Sequence, residues 1–512
     1  MRQPSPDRSF PAPLTDSLLR AWLRCRRRAW LERHGPSDLR RWNAHRALAL
    51  QEQLLRFQQL LPEKPSRGEG ACQDGAPAVM GLRLRGLAPR GQPLEAHPAL
   101  LQRVNTPSRW GSHGYRPVLA RQGRRTTREH RLVLALWGRL LAHQQGAPVP
   151  HALVVAGQGG RLLQERLALT PALESQLDDS LLRLDVDLER PDPPPLVNDR
   201  KKCALCAWRL LCDQEAQRVG HLSEVSGVGS KRRDLLLQAG VGSLRELAAA
   251  DPQGLAEMLS VHGTQHADMA PEMVAQARVQ ATGQPERLLE GDGLPELRDA
   301  PGLLIYDIES DPDTADHFLH GFWILPRPKD GRWPQTGLGA PFPARYRPLL
   351  ALAEHGEERL WRRLSGLLAR HPDWPVLHYG ETEKILLSRL AERQGVGVEE
   401  RAALQRRLVD VHLRLRRHWR LPVNSYGLKA VASWRGFRWS QPGADGARCL
   451  LWWRLWRQWH GPQTPGGASS PAGRRRELER IFRYNQDDGL ATWVVARWLL
   501  ESSGEPHPPA GP

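Results

Sequence analysis

Cysteine is scarce in this chain, with six residues among 512. That is too few for a disulfide framework, so a reducing cytoplasm is the simplest compartment. No run of about 18 apolar residues occurs, so no membrane span is expected. The N-terminus lacks an apolar core followed by a cleavage site, and no secretory signal is expected. No internal repeat is found, which argues against a solenoid. Lysine is also rare, and arginine supplies nearly all of the positive charge. Lys and Arg total 73 against 56 Asp and Glu, a formal net charge of +17. A GC-rich genome accounts for arginine over lysine but not for the excess of positive charge. That excess fits a polyanionic partner, for which the guanidinium is the better phosphate fork. The length is enough for two to four domains with real cores.

Four residues near the C-terminus carry the most chemistry. Asp307 and Glu309 follow the apolar run Leu303–Tyr306 in LLIYDIES. The run reads as a buried strand, and alternation along it puts both acids on one face. Tyr484 and Asp488 in YNQDD are spaced i, i+4, so on a helix they also share a face. A strand-borne D-x-E and a helix-borne Y-x-x-x-D can converge on hard divalent cations, as phosphodiester hydrolysis with two Mg²⁺ or Mn²⁺ ions requires. Taken singly, each half also reads as a solvated strand end or as surface residues of a helix.

In order and spacing, this region resembles the DnaQ-type, RNase H-like 3′–5′ exonucleases with a tyrosine in the third motif. The resemblance implies a metal site built from Asp307, Glu309 and Asp488, with Tyr484 orienting the attacking water. The second motif should supply an Asp after a strand. Here VLHYGETEKILL puts Glu383 at that position, with Glu381 as the lesser substitute. Asp410 ends another short apolar run and reads equally as a site residue or a structural strand end. In LLWWRLWRQWHG, 450–461, tryptophans alternate with arginines; they could stack on bases or form the buried face of a helix.

Cys203, Cys206 and Cys212 form a C-x2-C-x5-C array, and Cys25 lies far upstream in RAWLRCRRRAWL. Three thiols within ten residues suggest a metal centre that needs a fourth thiolate, for which Cys25 is the best candidate. The pattern resembles the iron–sulfur RecB-type (PD-(D/E)XK) nucleases. It implies a structural [4Fe–4S] cluster on these four cysteines, with zinc as the alternative. The same resemblance places the catalytic set on positions that hold Leu50, Leu119 and Arg121, so a nuclease fold with its catalytic residues lost is expected. Glu129 nearby reads as a solvated helix residue.

Between these regions, LSEVSGVGSKRRDLLLQAG has Gly227 and Gly229 around Val228, then Lys231, Arg232 and Arg233. The glycines permit a tight turn, and helix-start amides can face a phosphate. The stretch resembles a helix-hairpin-helix module, which implies contacts to a nucleic-acid backbone through Gly227, Gly229, Lys231 and Arg232; a plain helical linker is the other reading.

The expected architecture is multidomain α/β. Residues 15–215 form a RecB-type, restriction-endonuclease-like domain and 219–285 a helical module. Residues 301–502 form an RNase H-like domain with a mixed sheet, interrupted by a flexible insertion at 461–473. Residues 503–512 form a disordered tail. In domain order, and in the segment LPVNSYGLKAVA, the chain resembles bacterial RecB-like nucleases. The resemblance implies a metal-dependent exonuclease acting 3′–5′ on single-stranded DNA. The alternative is a nucleic-acid-binding protein in which both nuclease folds have decayed.

Overall fold

The computed structural model describes residues 12–121, 123, 125–158, 161–312, 316–334, 344–458 and 471–502. The predicted insertion lies largely, and the predicted C-terminal tail wholly, outside them. The chain forms two compact units, 1–214 and 215–512.

The first unit is built on a mixed sheet of six strands among the described residues. They are β1 (Ser66–Arg67), β2 (Ala78–Met80), β3 (Leu100–Val104), β4 (Gly114–Ala120), β5 (His151–Gln158) and β6 (Arg161–Ala168), in that spatial order. β3 and β4 are antiparallel, whereas β4 and β5 are parallel. A parallel neighbour needs a crossover, and the helix Arg128–Gln145 provides it. This helix starts at a capping box on Thr127 and stops at Gly146, whose φ is +64°. It buries Leu132 to Trp137 against one sheet face, with α1 (Asp16–Arg24) on the same core. The helix Ala44–Leu60 covers the other face through Phe57. Leu119 is a core residue and Leu50 is exposed. Glu129 is not a freely solvated side chain. It accepts from Nε and Nη2 of Arg24 at 2.6 and 2.8 Å, with Arg20 at 3.6 Å.

The second unit opens with a helical region that includes α2 (Ser230–Gln238) and α3 (Ala270–Thr282), packed on Leu222, Leu236, Leu247 and Val274. This region is held to the rest of the unit. Gln276 Nε2 donates to the Leu421 carbonyl at 2.9 Å, Asn424 Nδ2 to Glu224 at 3.0 Å, and Arg420 pairs with Glu272 and Glu286. The sheet that follows has strands β7 (Gly302–Asp311), β8 (Asp316–Pro326), β9 (Arg345–Leu350), β10 (Val376–His378) and β11 (Leu408–Asp410). Their spatial order is β9-β8-β7-β10-β11. β8 is antiparallel to both of its neighbours, β7 and β9; β10 pairs parallel with β7, and β11 parallel with β10.

β7 is apolar on both faces because both are covered. Leu304 and Tyr306 pack toward the helix Glu357–Ala369. Leu303 and Ile305 pack toward a 31-residue helix, α6 (Pro471–Glu501). Two glycines let α6 lie close to the sheet. A Cβ on Gly321 would overlap the side-chain oxygen of Asn485, and one on Gly489 would come within 2.6 Å of Trp323. The pairing of β7 with β10 covers only Leu304 and Ile305, so the strand beyond them projects past its parallel neighbour. A crevice at the carboxyl end of the central strands, where the direction of chain winding changes, is where open α/β sheets place their sites.

Candidate metal centre

Asp307 and Glu309 lie on that projecting part of β7, on the face covered by α6. Asp488 comes from α6, and one oxygen of each acid lies within 4.8 Å of those of the other two. This is the convergence expected from the strand and helix spacings. Burial is severe, with Glu309 7% and Asp488 9% exposed. Removing carboxylates from water beside one another favours their protonated forms. Burial, then Glu309, Asp488 and Glu383, hold Asp307 well above the usual carboxylate range. Burial and Asp488 push Glu309 up to about 8. Burial also raises Asp488, against the opposing pull of Trp439, Lys429 and Tyr484. Such a group attracts a cation, and oxygen donors of this kind suit Mg²⁺ or Mn²⁺.

Several side chains hold the acids in place. Asn485 Nδ2 donates to Asp307 at 2.6 Å and to Glu309 at 3.4 Å, while its oxygen accepts from Tyr346 at 2.8 Å. Trp439 Nε1 donates to Asp488 at 2.6 Å. The Cys449 thiol and the Tyr484 phenol donate to Glu309 and Asp488 respectively. Burial first, then Asp488, keeps Tyr484 a neutral phenol. The Lys429 ammonium stands 5.2 Å from the Tyr484 ring centre and 5.6 Å from that of Trp439. Asn485, Trp439, Cys449 and Lys429 are not among the residues singled out from the sequence. Only Asn485 had a signal, as a polar neighbour of Tyr484 on a helix face that must be buried. Lys429 sits in LPVNSYGLKAVA, but nothing local marks it.

Glu383 lies outside the three-acid group. It is near the start of the helix Thr382–Arg393, with Oε2 4.0 Å from Nδ1 of the fully buried His378. Burial pushes it up to about 7, with Asp410 adding to the rise. Its Oε2 and the His378 Nε2 are both shielded and have no hydrogen-bond partner among the described residues. Its charge is nonetheless felt by Asp307. Glu381 is exposed. Asp410 follows its structural reading, because its Oδ1 caps the next helix at Leu413 N and also accepts from Gly380 N, both at 3.1 Å. The tryptophan-arginine segment lies, up to Gln458, in the helix Gly446–Gln458; its last three positions, 459–461, are outside the described residues. Trp452, Trp453 and Trp456 are buried, Trp453 stacks on Phe318 at 4.5 Å, and Arg454 forks onto Asp311 at 2.7 and 2.8 Å. That packing leaves no face of these rings for bases.

In the first unit, Cys25 stands at the joint between α1 and the helix Arg26–His34. Cys203 and Cys206 lie in a tight turn, Cys206 N bonding to Cys203 O at 3.0 Å, and Cys212 follows on the next helix. The thiols share one neighbourhood. Burial raises Cys203 and Cys206, and each is raised further by Cys25. Burial also takes Cys212 up to about 11, with Cys206 and Cys203 adding to it. Arg27 and Arg200 hydrogen-bond to Cys212 and Cys203. Even so, no three of these sulfurs lie within 4.8 Å of one another among the described residues. The four cysteines therefore form no group of metal-binding spacing among the described residues, for zinc or for an iron–sulfur cluster.

In the middle region Gly227 has φ +79°, and nothing lies within 4 Å of a Cβ built on Gly227 or Gly229. Gly229 caps α2 without a side-chain bond, Lys231 is exposed, and Arg232 bonds back to Gly227 O at 3.4 Å. The element ahead of the turn is a 3-10 turn, Leu222–Glu224, rather than a full helix.

No helix among the described residues is long and apolar enough to cross a membrane. No curated protein matches the chain. Residues 304–500 match the RNase_H_2 family model of the RNase_H superfamily. That span begins in β7 and ends in α6, and it contains all three acids. Fold, acid cluster and match agree that the C-terminal part of this chain is an RNase H-like domain with a candidate divalent-metal site.

Proposed function

We propose that the RNase H-like domain is a divalent-metal-dependent nuclease, acting as a 3′–5′ exonuclease on single-stranded DNA ends. The observation that carries this reading is the convergence of Asp307, Glu309 and Asp488, whose ligand oxygens lie within 4.8 Å of one another. Asp307, Glu309 and Asp488 would hold Mg²⁺ or Mn²⁺, and Glu383 would serve a second ion. Bound there, the ions would supply an activated water and charge stabilisation for the leaving oxygen. The chain's own residues do the rest. Asn485 fixes the orientation of Asp307 and Glu309 by donating to one oxygen of each. Tyr484, a neutral phenol bonded to Asp488, is placed to orient the attacking water. Lys429 adds a fixed cation where the phosphate's charge would lie.

In the same reading Cys25, Cys203, Cys206 and Cys212 carry a structural [4Fe–4S] cluster. A cubane would offer a separate iron to each thiolate. The surrounding arginines offset the thiolate charge. The first unit keeps no acid group of metal-binding spacing among the described residues and would act as a binding platform. Gly227, Gly229, Lys231 and Arg232 would grip the backbone of the nucleic acid.

A second reading, binding without cleavage, is favoured by one observation: Glu383 stands apart from the three acids. One experiment separates the two. Protein is incubated with 5′-labelled single-stranded DNA and Mn²⁺ beside the Asp307→Ala variant. Stepwise shortening by the unmutated protein alone supports the exonuclease; binding without shortening supports the second reading.

A further inference from the structure

The edge strand β9 and the helix Glu357–Ala369 carry positive charge that the protein does not neutralise. Arg345 and Arg347 pair in register with Ile324 and Phe322 of β8, two residues of the core beneath that helix. Leu349 belongs to the same core, with Leu360 and Leu364 of the helix. Alternation along β9 therefore turns Arg345, Arg347 and Leu349 to one face. On the helix, Arg359 and Arg363 each precede one of the buried leucines, and at i, i+4 they share a side. All four arginines are exposed. Burial first, then Arg347 and Arg359, lower Arg363 from its ordinary value, as this packing of helix on strand requires.

None of the four has an acidic partner among the described residues, although three acids are close in the chain. Glu354 takes Arg457 at 2.8 Å, Glu357 takes Arg393 at 2.5 Å and Glu358 takes Arg362 at 2.6 Å. Like charges at i, i+4 weaken a helix, and here the nearby acids are engaged elsewhere. Four neighbouring guanidiniums without counter-charge are complementary to a partner with repeated negative charge.

β9 also joins this strip to the metal centre. Tyr346, turned to the other face, donates its hydroxyl to Asn485, which holds Asp307 and Glu309. β9 is an edge of the sheet, two inter-strand steps of about 4.8 Å from β7. A flexible polyanion with its end at the acids can pass round that edge and lie on the arginines. The path is about 20 Å, or about six nucleotides at a step of about 3.4 Å. A duplex is too stiff to make that turn.

We propose that Arg345, Arg347, Arg359 and Arg363 form a track for the phosphate backbone of a single-stranded nucleic acid, about six nucleotides from the end held at the metal centre. The inference rests on the nuclease reading above and adds to it a second, remote contact that makes binding depend on strand length.

The test is binding of a labelled twelve-nucleotide single strand and of a labelled trinucleotide to the full chain in EDTA, followed by fluorescence anisotropy. The variant carries Arg345→Gln, Arg347→Gln, Arg359→Gln and Arg363→Gln together. It should bind the longer strand about tenfold or more weakly at about 0.1 M salt, with a salt slope shallower by about 0.7 for each arginine removed. Its trinucleotide affinity should be unchanged. Its melting temperature should not fall, since the substitutions relieve repulsion on the surface. Arg298→Gln, which removes an exposed arginine paired with Asp292, should bind both strands as the unmutated protein does. With Mn²⁺, the fourfold variant should show a raised KM on the longer strand and an unchanged kcat. Equal affinity and slope for variant and unmutated protein overturn the track and leave the nuclease reading intact. An equal loss on the trinucleotide overturns it as well, because the arginines then act at the strand end. Displacement of the longer strand by polyglutamate as readily as by unlabelled DNA makes the strip a general acid-binding surface, and the nucleic-acid assignment falls. Arginine-dependent binding without any cleavage instead removes the nuclease reading and leaves the track.

Discussion

Asp307→Asn should make the metal-free protein more stable while destroying its metal response. The reasoning starts from three carboxylates whose oxygens lie within 4.8 Å. At an effective dielectric of about 20, two unit charges at that separation repel by about 3.5 kcal/mol. Asp307 faces two such partners. The protein already relieves part of this by taking up protons, as the rise of Glu309 to about 8 records. At about pH 8 the net gain from neutralising Asp307 is about 3 kcal/mol, which for a domain of this size is a melting shift of about 6–12 °C. The amide oxygen of the new Asn can still accept from Asn485, so packing is kept. Thermal melts in EDTA and then in Mn²⁺ provide the assay. The unmutated protein should gain stability with Mn²⁺, by about 2.7 kcal/mol at a hundredfold excess over its dissociation constant, and the variant little. A variant no more stable in EDTA, or one stabilised by Mn²⁺ as much as the original, would refute the argument that crowded charge at this site awaits a cation.

Glu309 at about 8 and Glu383 at about 7 bind protons more tightly in the folded state than their ordinary values allow, so their contribution to stability is complete at low pH and lost as pH rises through those values. Urea unfolding in EDTA should therefore show falling stability from about pH 5 to about pH 8, and Mn²⁺ should flatten the slope. Gly321→Ala drives a methyl into the Asn485 side chain, so it should cost about 1–3 kcal/mol and at least tenfold in cleavage rate, measured by denaturation and by laddering of labelled DNA. Tyr484→Phe should lower kcat about 10- to 100-fold with KM little changed, as steady-state kinetics would show. Cys206→Ala should abolish the brown colour and visible absorbance of anaerobically purified protein; Cys72→Ala, buried elsewhere in the first unit, should retain both.

Legibility in the sequence followed the range of the interactions involved. The D-x-E strand and Y-x-x-x-D helix could be read because side-chain direction along each element is set by a local period. The helix Arg128–Gln145 is likewise closed at each end by a residue next to it in the chain, Thr127 and Gly146. The fate of the tryptophan-arginine segment was not decided locally. Its composition suits base stacking as well as burial, and only the presence of Phe318 beneath Trp453 resolves the choice. Asp410 was equally ambiguous until its oxygen was found capping Leu413.

By itself the sequence determined the positive charge, the two acidic motifs, the cysteine array and the glycine turn, because each is a property of residues near one another in the chain. Tertiary structure decided that Asp488 meets Asp307 and Glu309, that Glu383 does not join them, and that Asn485 and Cys449 support the acids. These outcomes depend on which elements pack together and how closely. The steric room at Gly321 and Gly489 sets that distance between α6 and the sheet, and no local period encodes it.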